Sequence, residues 1–379
     1  EEKMKNKQKR ISTLIFFIII IILPLITTFS KKKSFSETEN RPLQEKPSLS
    51  IESWFDKSFM NQSESYVADH FTGRIKWISS KINMELMLGK TNLNDVYITD
   101  SRMLEKITQP DYSVIDKSIS AINDFANSNN VPVFVMMSPT SAGIYSETLP
   151  ENTPQINQRE IINYIYKNLD TKVSAVDVYD LLYAMKDDYI YYRTDHHWTS
   201  LGAYYAYSVA IQKLGFTSIA YSKYNIEHAS NNFLGTYYSK TLYDKIQSDT
   251  IDIYSYNDGD TVVSCTVDNG IEKKEYNDIY FRDFLKGKDK YSTYLGTNQP
   301  EVVIKTNLES DKKILIFKDS YGNSFIPFLT QHYNQITVLD MRYVKDYKEY
   351  VNVSDYSQVL FLYNSTTFCE DENIKKIAY

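Results

Sequence analysis

Apolar and polar positions alternate along the chain with different periods. Residues 11–29 (ISTLIFFIIIIILPLITTF) run 19 positions without a charge, close to the roughly 20 that a helix needs to cross a bilayer. Residues 31–50 turn polar and carry Pro42 and Pro47, which reads as an extended linker. Val67, Phe71, Ile75, Ile78 and Ile82 recur at three- and four-residue spacing and predict one helix; Val114, Ile115, Ile119, Ile122 and Phe125 predict another. Val131–Met137 is apolar without alternation, as in a parallel strand covered on both faces. A helix over Gln158–Leu169, a strand over Val173–Val178, a short aromatic strand over Tyr189–Thr194 and a helix over Ser200–Leu214, capped by Thr199 or Ser200, come next. The pattern closes with strands at Lys313–Phe317, Ile336–Met341 and Val359–Tyr363 and a helix over Gly322–Tyr333.

Residues 216–310 differ. They are rich in Tyr, Thr, Asn and Asp, hold the turn sequences Asn257-Asp258-Gly259 and Asp268-Asn269-Gly270, and predict a mostly β insertion. Strand-helix-strand repeats on either side predict an α/β fold with a parallel sheet covered by helices. The domain reading is therefore a tail over 1–10, a transmembrane anchor over 11–30, a linker over 31–60, and an α/β domain over 61–379 with its β-rich insertion at about 216–310.

Charge sharpens the picture. The whole chain has 379 residues and a formal charge of −6, but residues 1–33 hold eight Lys/Arg and two Glu, so the remainder is −12. A body this acidic is a poor binder of phosphate backbones, and nucleic acid is not expected as a partner. Five basic residues precede the apolar run and favour a cytoplasmic amino terminus. The expectation is a retained single-pass anchor in the cell membrane with the body outside the cytoplasm. Two cysteines, Cys265 and Cys369, exclude a disulfide scaffold and leave open whether they pair with each other.

Reactive groups in such a sheet belong where strands end and helices begin. Ser320, in Lys318-Asp319-Ser320-Tyr321-Gly322-Asn323, sits at such a turn. There it is either a helix cap or a nucleophile beside free backbone N–H groups, its own and those of Tyr321 and Gly322. The second junction is Asp195-His196-His197-Trp198. Residues i and i+2 of an extended stretch share a face, which pairs Asp195 with His197 and turns His196 away. A hydroxyl needs a base, and the base a carboxylate to hold its tautomer, so His197 is the expected base and Asp195 its orienter. Asp-His-His also resembles metal-dependent phosphoesterases, but no further histidine-rich ligand set accompanies it, so no metal is expected. His70, His228 and His332 read as surface or helix-face residues, and Trp198 as packing for the loop.

Asp195-His196-His197-Trp198 resembles the signature of the bacterial DHHW protein family, itself similar to alginate O-acetyltransferases and other SGNH-hydrolase-like acyl-transfer proteins of the cell surface. Glu39-Asn40-Arg41-Pro42-Leu43, Asp69-His70-Phe71 and Arg74 resemble its opening segment, and Val131–Pro139 its first core strand. The resemblance implies an SGNH-like fold, with Ser320 as nucleophile, His197 as base and Asp195 as its partner. It implies an O-acyl- or O-acetyltransferase acting on a cell-wall or exported polysaccharide, without a cofactor. The acyl donor would be supplied by a membrane-bound O-acyltransferase partner. A carbohydrate esterase using the same residues and a non-catalytic glycan-binding scaffold are the alternatives. Lys318 stands where many relatives carry Gly, and no Gly-x-Asn-Asp block is present, which leaves the second oxyanion donor open between Arg342 and Asn364.

Overall fold

The computed structural model describes residues 2–154, 156–256 and 262–378; the turn expected at Asn257-Asp258-Gly259 lies outside them. The chain forms two units, residues 1–90 with 238–245, and residues 91–237 with 246–379. The stretch from Val67 to Ile82, read as one helix, lies in the first unit.

In the first unit, Glu2–Phe17, a π-type turn Ile18–Ile22 and Leu23–Phe29 form one continuous helical run. Pro24 lacks an N–H and clashes with the carbonyl four residues back, a natural cause for the altered turn beside it. Asn6–Phe29 is long and apolar enough to cross a membrane. The single helix expected next is two, Ser58–His70 and Arg74–Met87, because the chain turns at Gly73 with φ +72°. The stretch read as an extended linker is partly tied down. Phe35–Ser36 pairs with Arg41–Pro42, both Arg41 terminal nitrogens donate to Asp69, and Arg74 pairs with Glu39. The backbone N–H of Gln44 also donates to Asp69 at 2.9 Å. The hydrogen bond from Arg41 brings the Asp69 carboxyl down to about 2 against the opposing effect of burial.

The second unit is built on an eight-stranded sheet. We number its strands β1 (Val133–Ser138), β2 (Val173–Val176), β3 (Val262–Asp268), β4 (Lys273–Tyr276), β5 (Glu301–Thr306), β6 (Lys313–Lys318), β7 (Gln335–Leu339) and β8 (Gln358–Asn364). Their order is β4-β3-β5-β7-β6-β8-β1-β2. The five from β7 to β2 are parallel, and β5, β3 and β4 extend the edge in antiparallel fashion. Residues 216–310 are thus no separate insertion throughout: part of them continues the main sheet, and Tyr224–Phe233 with Asp249–Tyr256 forms a hairpin of its own.

Alternate residues of each central strand feed opposite faces. Ile314, Ile316, Leu360 and Leu362 pack with Ala203, Tyr207, Ala210 and Ile211 of helix Ser200–Lys213. Leu315, Phe317, Val359 and Phe361 pack with Ile115, Ile119, Ile122 and Phe125 of helix Tyr112–Ser128. Thr199 caps the former helix by accepting the Gly202 N–H at 3.2 Å. The helix expected over Gly322–Tyr333 is only Gly322–Phe325 and then narrows to a 3₁₀ run, where Pro327 cannot continue the α pattern. His332, read as a surface or helix-face residue, is buried at the end of the 3₁₀ run. It shares a 2.7 Å hydrogen bond with Tyr207 and is pushed down to about 4 by burial. Cys265 and Cys369 are both free and buried.

The clasp at Asp69 sets a pH test. A carboxylate near 2 in the fold and near 3.9 unfolded contributes stability that is complete above about 4 and fades as pH falls through about 2. The melting temperature of the full chain in detergent should therefore drop in Asp69→Asn at pH 6, and the gap to wild type should close on acidification to pH 2. A gap that is constant across this range contradicts the ion-pair account.

Candidate active site

The stretch Tyr189–Thr194 is not the strand expected from its aromatic pattern. Only an isolated bridge, Tyr191 to Trp198, remains of it. The backbone finds carboxylates instead of a neighbouring strand. Buried Asp249 accepts from the N–H of Arg193 (2.7 Å) and Thr194 (2.8 Å), from the Thr194 hydroxyl and from Tyr189. Burial raises the Asp249 carboxyl, and these hydrogen bonds oppose that rise. Asp195 then accepts the N–H of His197 at 3.0 Å and closes a tight turn.

The turn puts His197 Nδ1 2.6 Å from Asp195 Oδ1, and its Nε2 2.7 Å from Ser320 Oγ. A carboxylate only accepts, so Nδ1 carries the proton and Nε2 faces the serine hydroxyl as acceptor. Burial by itself would raise the Asp195 carboxyl. The imidazoles of His196 and His197 and the Thr236 N–H outweigh it and hold the group far below the usual carboxylate range. Thr236 donates to Asp195 Oδ2 at 2.7 Å. Gly235 makes room for this approach: a Cβ there would lie 2.3 Å from both Asp195 Cβ and Oδ2.

His196 does not turn away as expected. Its ring leans on that of His197 at 3.8 Å between centroids, and its Nδ1 is 3.6 Å from Asp195 Oδ1. Tyr291 stacks on His197 at 3.6 Å and 7°, donating its hydroxyl to the Ser320 carbonyl at 2.9 Å. Trp198 is fully buried and donates to the Tyr321 carbonyl (3.0 Å) and Ser324 Oγ (2.9 Å). Tyr321 donates its hydroxyl to the His196 carbonyl.

Ser320 follows β6 at the carboxyl edge of the parallel strands and is half-buried. Asp319 holds its turn, accepting from the N–H of Tyr321 (2.9 Å) and of Asn364 (2.7 Å). The remaining expected donors are engaged elsewhere. The Gly322 N–H donates to the Asp319 carbonyl, the Asn364 amide to Asp319 and Thr367, and Arg342 to Asp340 through Nε and Nη2. Gly322 gives way to the Lys318 side chain, whose carbons lie 3.0–3.1 Å from where a Cβ would stand. Asp195, His196 and His197 gather three potential metal-ligand atoms within 4.8 Å. As arranged, both nitrogens of His197 serve hydrogen bonds to Asp195 and Ser320.

Asp249, Gly235, Thr236 and Tyr291 were not visible as site residues in the sequence; Gly235 in the run Phe233-Leu234-Gly235-Thr236 was the one local signal.

A line of carboxylate, imidazole and hydroxyl at the edge of a mostly parallel sheet defines the class of site. Residues 90–339 match the family described as DHHW protein, and the chain belongs to that family. A DHHW family protein from Eubacterium siraeum is similar at 28% identity and TM-score 0.63, covering 75% of this chain and 95% of that one. Bacillus cereus PatB1 is similar at 25% identity and TM-score 0.65, covering 73% and 98%; it is also known with a sulfonyl adduct. The O-acetyltransferase domain of Pseudomonas putida AlgJ is a distant likeness at 12% identity and TM-score 0.44, covering 73% and 92%. No curated protein sequence matches.

Gly235→Ala should displace the Asp195 carboxylate without touching Ser320 or His197. The rate at which Ser320 is labelled by a sulfonyl fluoride, read by intact mass, is expected to fall roughly 10²-fold or more, as when an orienting carboxylate is lost. An unchanged rate would show that Asp195 does not orient His197.

Proposed function

We propose that this protein is an extracytoplasmic O-acyltransferase, with acetyl as the expected acyl group, working through an acyl-serine on an SGNH-like α/β fold. The observation that carries this reading is the in-line spacing of 2.6 Å and 2.7 Å from Asp195 through His197 to Ser320.

His197 Nε2 takes the Ser320 proton as Oγ attacks the acyl carbonyl. The tetrahedral intermediate collapses, the acyl C–O or C–S bond to the donor breaks, and the imidazolium returns its proton to the leaving group. An acceptor hydroxyl then enters, gives its proton to Nε2 and attacks the acyl-serine, and Ser320 Oγ leaves reprotonated. Asp195 stays ionised and stabilises the imidazolium at each step. The acceptor is a hydroxyl of a cell-wall or exported polysaccharide. Membership of the DHHW family, with its resemblance to acyl-transfer proteins of the cell surface, supports this class of chemistry.

The apolar helix Asn6–Phe29 serves as the anchor, with the five basic residues before it on the cytoplasmic side. The acyl group is handed across the bilayer by a membrane-bound O-acyltransferase partner. Water in place of the acceptor would make the same residues an esterase.

The test is incubation of the full chain in detergent with p-nitrophenyl acetate, with and without an oligosaccharide acceptor. Nitrophenol release and acetylated sugar are expected from wild type, and neither from Ser320→Ala. Release of acetate alone, with acceptor present, replaces the transferase by the esterase. Equal behaviour of wild type and Ser320→Ala would leave a non-catalytic glycan-binding scaffold.

A further inference from the structure

Two buried polar residues beside Ser320 are unused in the chemistry above. Lys318 ends β6, and its Nζ donates to Asn323 Oδ1 at 2.6 Å and Asn298 Oδ1 at 3.1 Å, with Asp340 Oδ2 at 4.0 Å. Burial draws the Lys318 ammonium down to about 8, with Asp340 opposing the fall. An ammonium only donates, so the oxygen of the Asn323 amide must face Lys318 and its nitrogen must face away. Asn323 is 3% exposed, and its Nδ2 donates to no protein group among the described residues, yet it is not among the atoms sealed from solvent.

The Asn323 N–H donates to the Ser320 carbonyl at 3.2 Å. Residues three apart on a helical turn are surface neighbours, about 5–6 Å between Cβ atoms, and helical side chains lean back toward the amino end. Asn323 and Ser320 are thus neighbours one turn apart. The backbone N–H of Ser320 also has no acceptor among the described residues, while those of Asp319, Tyr321, Gly322 and Asn323 all do.

We propose that the Ser320 N–H and the Asn323 side-chain N–H hold the oxyanion, and that Lys318 is the positioning residue that fixes which way the amide faces. This rests on the acyl-serine reading above. As the Oγ–C bond forms, the carbonyl π pair moves onto oxygen, and the two donors receive that charge. When the C=O bond re-forms, the leaving group departs with the proton from His197. Lys318 thereby takes on a role in the same turn, and the Cβ-free Gly322 admits its stem.

Asn323→Asp separates this role from a structural one. The aspartate keeps the shape and gains an ion pair with Lys318, but it has no N–H to offer. With p-nitrophenyl acetate, kcat is expected to fall about 10²-fold or more, the range for loss of one oxyanion donor, with KM and melting temperature held. Asn323→Ser, a shorter donor, should recover part of the rate. Lys318→Met should lower kcat by less than Asn323→Asp, because a freed amide still samples the right orientation. Wild-type kcat in Asn323→Asp overturns the assignment while leaving the acyl-serine reading intact. Wild type no faster than Ser320→Ala overturns both.

Discussion

Two turns 123 residues apart in sequence are sewn together face to face, and the site exists only through that seam. His197 meets Ser320, Trp198 donates to the carbonyl of Tyr321 and to Ser324, and Tyr321 returns a hydrogen bond to the His196 carbonyl. Because the Trp198 indole is fully buried, its two bonds are made where water cannot compete, and leaving them unmade would strand a polar atom. Tyr291 closes the seam from a third segment, with its ring on the imidazole and its hydroxyl on the Ser320 carbonyl. The geometry between base and hydroxyl is held by this stitching rather than by the single 2.7 Å contact.

Buried carboxylates do the local shaping. Asp249, Asp195 and Asp319 each sit at a place where the backbone leaves regular structure, and each accepts N–H groups that a sheet or helix would otherwise satisfy. A charge buried without such donors is costly. These three aspartates therefore specify loop conformations as firmly as apolar residues specify the core. Asp195 serves two ends at once, closing its own turn and orienting the ring that follows.

The sequence was most legible where one principle governs a stretch. Continuous apolar runs marked β1, β6 and β8, and the period of Ile115, Ile119, Ile122 and Phe125 marked the helix against them, because burial on both sheet faces leaves no other pattern. It was misleading where tertiary partners override local preference. Tyr189–Thr194 has strand composition, but Asp249, more than fifty residues on, takes its N–H groups. Extended backbone would turn His196 away, but the tight turn at Asp195 brings it against His197 instead. The contribution of Tyr291 is purely three-dimensional, and the missing Cβ of Gly235 matters only once Asp195 is known to press on it.

The order of strands has a consequence for biogenesis. The imidazole and its carboxylate precede β6, whereas the hydroxyl follows it, and β6 and β8 slot into the middle of the sheet between β7 and β1. A growing chain therefore lacks this alignment of carboxylate, imidazole and hydroxyl until its last strands have entered the centre of the sheet. The seam becomes a late property of the polypeptide, gained only after most of its length has been delivered and folded.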